Sequence, residues 1–344
     1  MRIGVMHSRL GTELAERLAD ALTDVQVESV DEGEFPDCEI LVANTLPSGL
    51  LRCSPRLRWL QLTSVGTDQL AVAGPPPDDL LVTNAGDVPS RAVAEFVLMG
   101  MLALAKDAPG LVRRQHEHRW QPNYAARLLA GETLLLLGLG SVGRAVAVRA
   151  RAFGMRVVAV TRTGRADDAA DLVISRERLL EVAKESLFLV AAVPGTEETT
   201  NLVSRQVLRA LPDGAFVINV GRPTVLETEA LVAELSRLGG AMLDVHDEEP
   251  LPSSSGLWRA DRLWVTPHTA FGYPGEGADL ADLICDNYSR FRAGTPLRNL
   301  VRAGSSAVAN TTPPMVTAAP TSCQPESDSP KIGTASAAPK TGTR

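Results

Sequence analysis

Short apolar runs alternate along this chain with stretches whose apolar residues recur at helical spacing. Arg2–Met6 reads as a strand, residues 12–22 as an amphipathic helix, and 39–43, 57–63 and 80–84 as further apolar runs. Residues 92–105 form an apolar helix pattern. A second, longer series begins with Thr133–Leu137, an unbroken apolar run of the kind found in strands covered on both faces. It continues with a helix over 141–153, a strand Arg156–Thr161, a helix over 177–183 and a strand over 187–193. Helix 204–211, strand 215–220, helix 228–238 and strands 240–245 and 263–266 follow. Strands alternating with helices predict βαβ units and parallel sheets. The loops between them carry Gly, Pro, Asp and Ser, as at 46–49 and 73–79. A last helical pattern over 275–292 stops at Gly294 with Pro296 close behind.

At 344 residues the chain has room for two domains of ~100–200 residues each. Its 44% hydrophobic and 22% charged residues suit a globular core. Residues 303–344 depart from this: they are rich in Ala, Thr, Ser and Pro without periodicity, which predicts a disordered tail. The net charge of −7 opposes a nucleic-acid partner, which needs clustered Lys and Arg. It leaves room for a small anion held by local arginines. The four cysteines are scattered with no C-x-x-C spacing, so no zinc site is expected. The first ten residues lack a basic segment ahead of an apolar run, and 92–105 falls short of the ~20 residues of a membrane span and carries Glu95. A cytoplasmic protein is expected.

Gly138-Leu139-Gly140-Ser141-Val142-Gly143 fits G-x-G-x-x-G, directly after an apolar strand and at the start of a helix. The first glycine permits the tight turn, the second lets a pyrophosphate approach the backbone, and the third lets helix pack on strand. The helix then presents its positive end to the phosphates. The strand–turn–helix setting is what separates this motif from any glycine-rich turn. A dinucleotide cofactor is therefore expected. An Asp or Glu ~20 residues further on would bind a free ribose 2′-hydroxyl. None follows Val160, where the chain reads Thr161-Arg162-Thr163-Gly164-Arg165. Guanidinium groups pair bidentately with phosphate, so NADP(H) is favoured over NAD(H).

Three polar groups follow three consecutive strands of the second series: Asn219-Val220-Gly221-Arg222, then Asp244 through Glu249 and Pro250, then Thr266-Pro267-His268. Ligands bind at such strand ends in open parallel sheets. Reduction of a 2-oxo acid needs a cation for its oxygens, a proton donor for the alkoxide, and a carboxylate to orient that donor. Arg222, His268 and Glu249 match these roles. Each alone could be an ordinary surface residue; their coincidence on one edge carries the reading. His116-Glu117-His118 lacks a third ligand with suitable spacing and reads as a solvated polar stretch. No G-x-S-x-G elbow points to a hydrolase.

With these motifs the chain resembles the D-isomer-specific 2-hydroxyacid dehydrogenases over residues 1–301. The resemblance rests on 60–68 (LQLTSVGTD), 81–84, Val93-Ala94-Glu95, the glycine loop, 192–202 (AVPGTEETTNL), 211–222 (LPDGAFVINVGR), 243–252 (LDVHDEEPLP) and Thr266-Pro267-His268. It implies an α/β protein with two doubly wound parallel sheets: a Rossmann domain over 88–274 and a discontinuous flavodoxin-like substrate domain from 1–87 and 275–302. It places the catalytic trio on Arg222, Glu249 and His268, and a substrate-carboxylate cradle on Val65 and Gly66. The cofactor would contact Gly138 to Gly143, Thr161, Arg162, Thr163, Val193, Pro194, Val220, Gly221 and, at the nicotinamide amide, Asp244. It further implies a homodimer and a D product. Pro223 stands where the family usually has Gly, His246 where it has an aromatic, and Thr269 to Pro274 are bulkier than its usual small-residue turn. The missing acid after Val160 is similar to the glyoxylate/hydroxypyruvate reductase branch, often NADPH-dependent. Glu249 stands against formate as substrate, since formate enzymes of this family have Gln there. Phosphite oxidation and a dinucleotide-sensing role are the alternatives.

Overall fold

The computed structural model describes residues 1–122 and 126–301, all within one compact unit. The tail expected over 303–344 lies outside the described residues. The first sheet has five parallel strands: β1 (Arg2–Met6), β2 (Gln26–Ser29), β3 (Ile40–Ala43), β4 (Trp59–Leu62) and β5 (Leu81–Thr83). Their order, β2-β1-β3-β4-β5, is the flavodoxin-like one. β3 and β4 are wholly buried, as strands with helices on both faces must be.

The helix Glu276–Ala293 returns to this sheet. Its Leu280, Ala281, Ile284 and Tyr288 share a core with Ile3, Val5, Leu14 and Leu18. A buried polar network fixes it further: Asn287 Nδ2 donates to Gln61 Oε1 at 3.2 Å, Thr83 Oγ1 donates to the same oxygen at 2.7 Å, and Trp59 Nε1 donates to Thr83 Oγ1 at 2.8 Å. Such groups are tolerated in a core because each finds a partner.

The second sheet holds β6 (Thr133–Leu137), β7 (Arg156–Thr161), β8 (Leu172–Ser175), β9 (Phe188–Ala191), β10 (Phe216–Asn219), β11 (Gly240–Leu243) and β12 (Leu263–Val265), all parallel. The order β12-β11-β10-β9-β6-β7-β8 is that of a Rossmann sheet with one added strand. Chain direction across the sheet reverses between β6 and β9, which opens a crevice at their carboxyl ends.

Two strands, β2 and β8, were not legible in the sequence. Both are edge strands, so neither needs the continuous apolar run that marks an inner strand. Helix Ala108–His116 also went unread. The helix expected over 177–183 is a 3₁₀ turn, Arg176–Arg178, followed by Leu179–Ala183. Several strands end one or two residues before the apolar runs do. Val193, Val220, Val245 and Thr266 therefore stand in the loops at the carboxyl edge, where a ligand would lie. Among the described residues no helix is long and apolar enough to cross a membrane.

Candidate active site

The glycine loop has the geometry its spacing implies. Gly138 sits at φ 94°, in the left-handed region, and a Cβ there would lie 2.7 Å from the Ala192 carbonyl oxygen. A Cβ on Gly143 would lie 2.1 Å from the Gly138 carbonyl oxygen, so only glycine lets helix Ser141–Ala152 approach its own loop. Gly140 differs: a Cβ there would meet nothing within 4 Å. The fold does not require glycine at 140, and the open space there leaves room for a ligand to approach the backbone. No side chain caps this helix, which leaves its first N–H groups facing that space. These residues fit a dinucleotide pyrophosphate.

Gly143→Ala is expected to destabilise the protein by roughly 1–3 kcal/mol, because its new methyl meets backbone that has no rotamer to yield. Dinucleotide affinity should fall at least about tenfold, a loss of ~1.4 kcal/mol. Thermal melting and a fluorescence titration with NADPH check this; wild-type values in both would show that the close approach is dispensable.

The loop after β7 is folded on itself. Gly164, at φ 62°, donates its N–H to Thr161 Oγ1 at 3.0 Å, and the Arg165 N–H donates to Thr163 Oγ1 at 3.4 Å. Arg162 and Arg165 are exposed, and neither side chain has an ion-pair partner among the described residues. The first acid beyond them, Asp167, is engaged by both Nη atoms of Arg144, whose Nη1 contact is 2.7 Å. The backbone N–H of Ala169 and the Arg144 guanidinium hold the Asp167 carboxyl below the usual range.

Arg222 follows β10. Its backbone is extended (φ −134°, ψ 149°), as the residue before a proline prefers, and Pro223 opens the 3₁₀ turn Pro223–Val225. Asn219 clips this loop, accepting the Gly221 N–H at 3.1 Å and donating to the Arg222 carbonyl at 3.0 Å. A Cβ on Gly221 would lie 2.7 Å from the Val193 carbonyl oxygen, so the loops after β9 and β10 touch.

The Arg222 guanidinium reaches across to the first sheet. Nε and Nη2 both meet Asp68 Oδ2 at 2.6 Å, and Nη1 donates to the Gly221 carbonyl at 2.8 Å. It lies so close over Gly66 that a Cβ there would fall 1.8 Å from Nη2. The carbonyls of the Gly66 loop are tied back: Ser64 Oγ donates to Gly66 O at 2.7 Å and Asn84 Nδ2 to Val65 O at 2.8 Å. The N–H groups of Val65 and Gly66 have no partner among the described residues. Free amides beside a guanidinium form a receptor for a carboxylate.

Glu249 and His268 meet at the ends of β11 and β12. His268 Nδ1 donates to Glu249 Oε2 at 2.8 Å, which leaves Nε2 for a ligand. Glu249 Oε1 accepts the His246 backbone N–H at 2.9 Å. Burial pulls the Glu249 carboxyl upward, but the His268 hydrogen bond, the His246 N–H and the charges of both histidines outweigh it and hold the carboxyl below its usual value. His246 itself is buried, with Nε2 donating to the Thr266 carbonyl at 2.9 Å. In place of an aromatic, it therefore ties the loop that carries Glu249 to the strand end that precedes His268. Its Nδ1 is buried with no hydrogen-bond partner among the described residues.

His268 has φ 48°, a conformation that costs a non-glycine residue on the order of 1–3 kcal/mol. Asp244 holds it there. Oδ1 accepts the Thr266 hydroxyl at 2.7 Å and the Thr269 N–H at 3.0 Å, while Oδ2 accepts the Ala270 N–H at 3.0 Å. The family resemblance implied Asp244 as a nicotinamide contact; in the structure its carboxylate anchors the His268 loop and keeps one lone pair of Oδ2 for anything further. Sequence reading also left Asp68, Asn84 and Asn219 without roles, although all three lie inside segments it singled out. Only Asn219, at a strand end beside Arg222, carried a local signal.

A Rossmann sheet with a loop that fits a pyrophosphate, and a carboxylate–histidine pair and a guanidinium at its carboxyl edge, define a nicotinamide-dependent oxidoreductase. Residues 98–270 match the model of the D-isomer specific 2-hydroxyacid dehydrogenase NAD binding domain. The chain is 32% identical over 251 residues to a glyoxylate reductase of Thermococcus gammatolerans, covering 70% of this chain and 75% of that protein. It is 32% identical over 285 residues to a glyoxylate reductase of Pyrococcus furiosus, covering 80% of each. The crystal structure of a D-isomer specific 2-hydroxyacid dehydrogenase from Xanthobacter autotrophicus Py2, in complex with NADPH and MES, superposes with a TM-score of 0.78 at 30% identity, covering 88% of this chain and 98% of that one. The chain belongs to the D-isomer specific 2-hydroxyacid dehydrogenase family. It is an NAD(P)-dependent oxidoreductase that transfers a hydride between the dinucleotide and a 2-oxo or 2-hydroxy acid.

Proposed function

We propose that this enzyme reduces a 2-oxo acid with NADPH, using Arg222, Glu249 and His268. The observation that carries this reading is the juxtaposition of the Arg222 guanidinium with the free N–H groups of Val65 and Gly66, on the same edge as the Glu249–His268 pair. The substrate carboxylate rests on the two N–H groups, and the guanidinium polarises the carbonyl. When bound, the nicotinamide supplies the hydride to the carbonyl carbon. His268 Nε2 gives its proton to the carbonyl oxygen, and Glu249 stabilises the imidazolium that donates it. The domain assignment that goes with this is 1–87 with 275–302 for substrate and 88–274 for cofactor, supported by the packing of helix Glu276–Ala293 on the first sheet.

Turnover is tested by following NADPH and NADH oxidation against glyoxylate, hydroxypyruvate, pyruvate and bulkier 2-oxo acids. No turnover in protein that binds the dinucleotide would move weight to phosphite oxidation or to a sensing role. For the cofactor preference, the support is the pair of exposed arginines after Thr161 and the engagement of Asp167 by Arg144. Arg162→Ala is expected to weaken NADPH binding about tenfold, the ~1.4 kcal/mol of one charge-assisted contact, and to leave NADH within about twofold. Equal losses for both dinucleotides would overturn the 2′-phosphate reading.

A homodimer through the cofactor domain is supported by exposed apolar side chains on that half of the chain: Met99, Val112, Trp120, Leu128 and Val148. Light scattering on the eluting protein distinguishes dimer from monomer.

A further inference from the structure

A cavity of about 610 Å³ opens beside His268, walled by Arg9, Glu13, Phe271, Tyr273 and Glu276. Glyoxylate carries only a hydrogen on the far side of its carbonyl and would leave this space unused. The walls are arranged in order of distance along the chain of contacts from the reacting histidine. Phe271 meets the His268 ring edge-on, with centroids 5.9 Å apart at 85°. The Arg9 guanidinium stands 5.8 Å from the Phe271 centroid, over its face. An apolar shelf thus begins at the proton donor and ends at a cation.

Arg9 is held from two sides. Its Nη2 contacts Glu276, whose side chain is only 5% exposed, and its backbone N–H donates to His7 Nδ1 at 3.2 Å. Burial, and then the charge of Arg9, push the His7 pKa down to about 4, so Nδ1 remains an acceptor at neutral pH. Nε and Nη1 of Arg9 have no hydrogen-bond partner among the described residues. Arg9 lines the cavity with a side chain 48% exposed, so these two donors are open to a ligand. The charges there already balance: Arg9 faces Glu276, and Glu13 is engaged by Arg17 at 2.9 Å. Donors without surplus charge favour a neutral oxygen acceptor over a second carboxylate. Tyr273 adds no free donor, since its hydroxyl donates to Asp279 at 2.6 Å.

We propose that the preferred substrate is a hydroxylated 2-oxo acid longer than hydroxypyruvate, whose chain lies over Phe271 and whose hydroxyl oxygens accept hydrogen bonds from Arg9. This rests on the reading of His268 as the proton donor, and it assigns Arg9 as a specificity-determining residue held in place by Glu276.

The test measures kcat/KM with NADPH for glyoxylate, 2-oxohexanoate, 2-oxoglutarate and 2-oxogluconate, in wild type and in Arg9→Met. Methionine keeps length and contact with Phe271 but has no donors. The expected result is a ratio of 2-oxogluconate to 2-oxohexanoate of at least about ten in wild type, the worth of one good hydrogen bond, collapsing toward one in the variant. The ratio is internal to each preparation, so a partly unfolded variant lowers both values and leaves it unmoved. A wild-type preference for glyoxylate or for the apolar chain would overturn the inference while the 2-oxo acid reading stands. So would a preference for 2-oxoglutarate, or an unmoved ratio in Arg9→Met. Absence of turnover with every acid would remove the reading beneath it, and the inference with it.

Discussion

His268→Gln is expected to lower kcat by about 10²–10⁴-fold, the usual worth of a positioned general acid, while the dinucleotide Kd stays within a factor of about two. Glutamine still reaches Glu249 with a donor and keeps much of the volume, so the strained turn at φ 48° survives on its Asp244 anchor. What is lost is an ionisable proton at the position of Nε2. Steady-state kinetics with a responsive 2-oxo acid, paired with a binding titration, separates the two effects. A variant with near wild-type kcat would show that the proton comes from elsewhere. The pH behaviour has a definite sign. The Glu249 carboxyl is held below its ordinary value, so its contribution to the folded site is complete above the ordinary glutamate range. That contribution is lost as the pH falls through the lowered value. The acid side of the activity profile should therefore reflect loss of this pair only below the usual carboxylate range.

Arg222→Lys should reduce kcat/KM by about 10²–10³-fold, comparable to deleting one preorganised donor to a developing oxyanion. Lysine retains the charge but not the planar fork. In the structure that fork meets Asp68 through Nε and Nη2, donates to the Gly221 carbonyl through Nη1, and sits close against Gly66. A single ammonium can satisfy one of these contacts and cannot lie in the space Gly66 leaves. The loss should fall on both KM for the 2-oxo acid and kcat, with dinucleotide binding little changed. If lysine supports wild-type kcat/KM, charge alone suffices and the fork's contacts are incidental.

Much of this was legible because it is local. An inner parallel strand is covered on both faces, so Thr133–Leu137 had to be an unbroken apolar run. The glycine loop was legible from its spacing after a strand and before a helix, and Gly143 does answer to a contact within that turn, at the Gly138 carbonyl; the contact that closes Gly138, with Ala192, comes from the loop after β9. Arg222, Glu249 and His268 were found because each follows an apolar run, and runs end at sheet edges. Edge strands β2 and β8 escaped because pairing on one side asks little of their composition.

The sequence by itself thus determined the fold class, the position of the glycine loop and the strand-end placement of Glu249 and His268, since each depends on backbone geometry within a few residues. The tertiary structure alone decided which distant groups face them. Asp68 and Arg222 are 154 residues apart, and Arg9 and Glu276 are 267 apart. Those meetings depend on strand order in two sheets and on a helix that returns from the end of the described chain to the first. The use of Asp244 was decided the same way, because a carboxylate at a strand end binds whichever N–H groups the neighbouring loop brings within reach. Periodicity records which face of an element is buried; it holds no information about which element lies across from it.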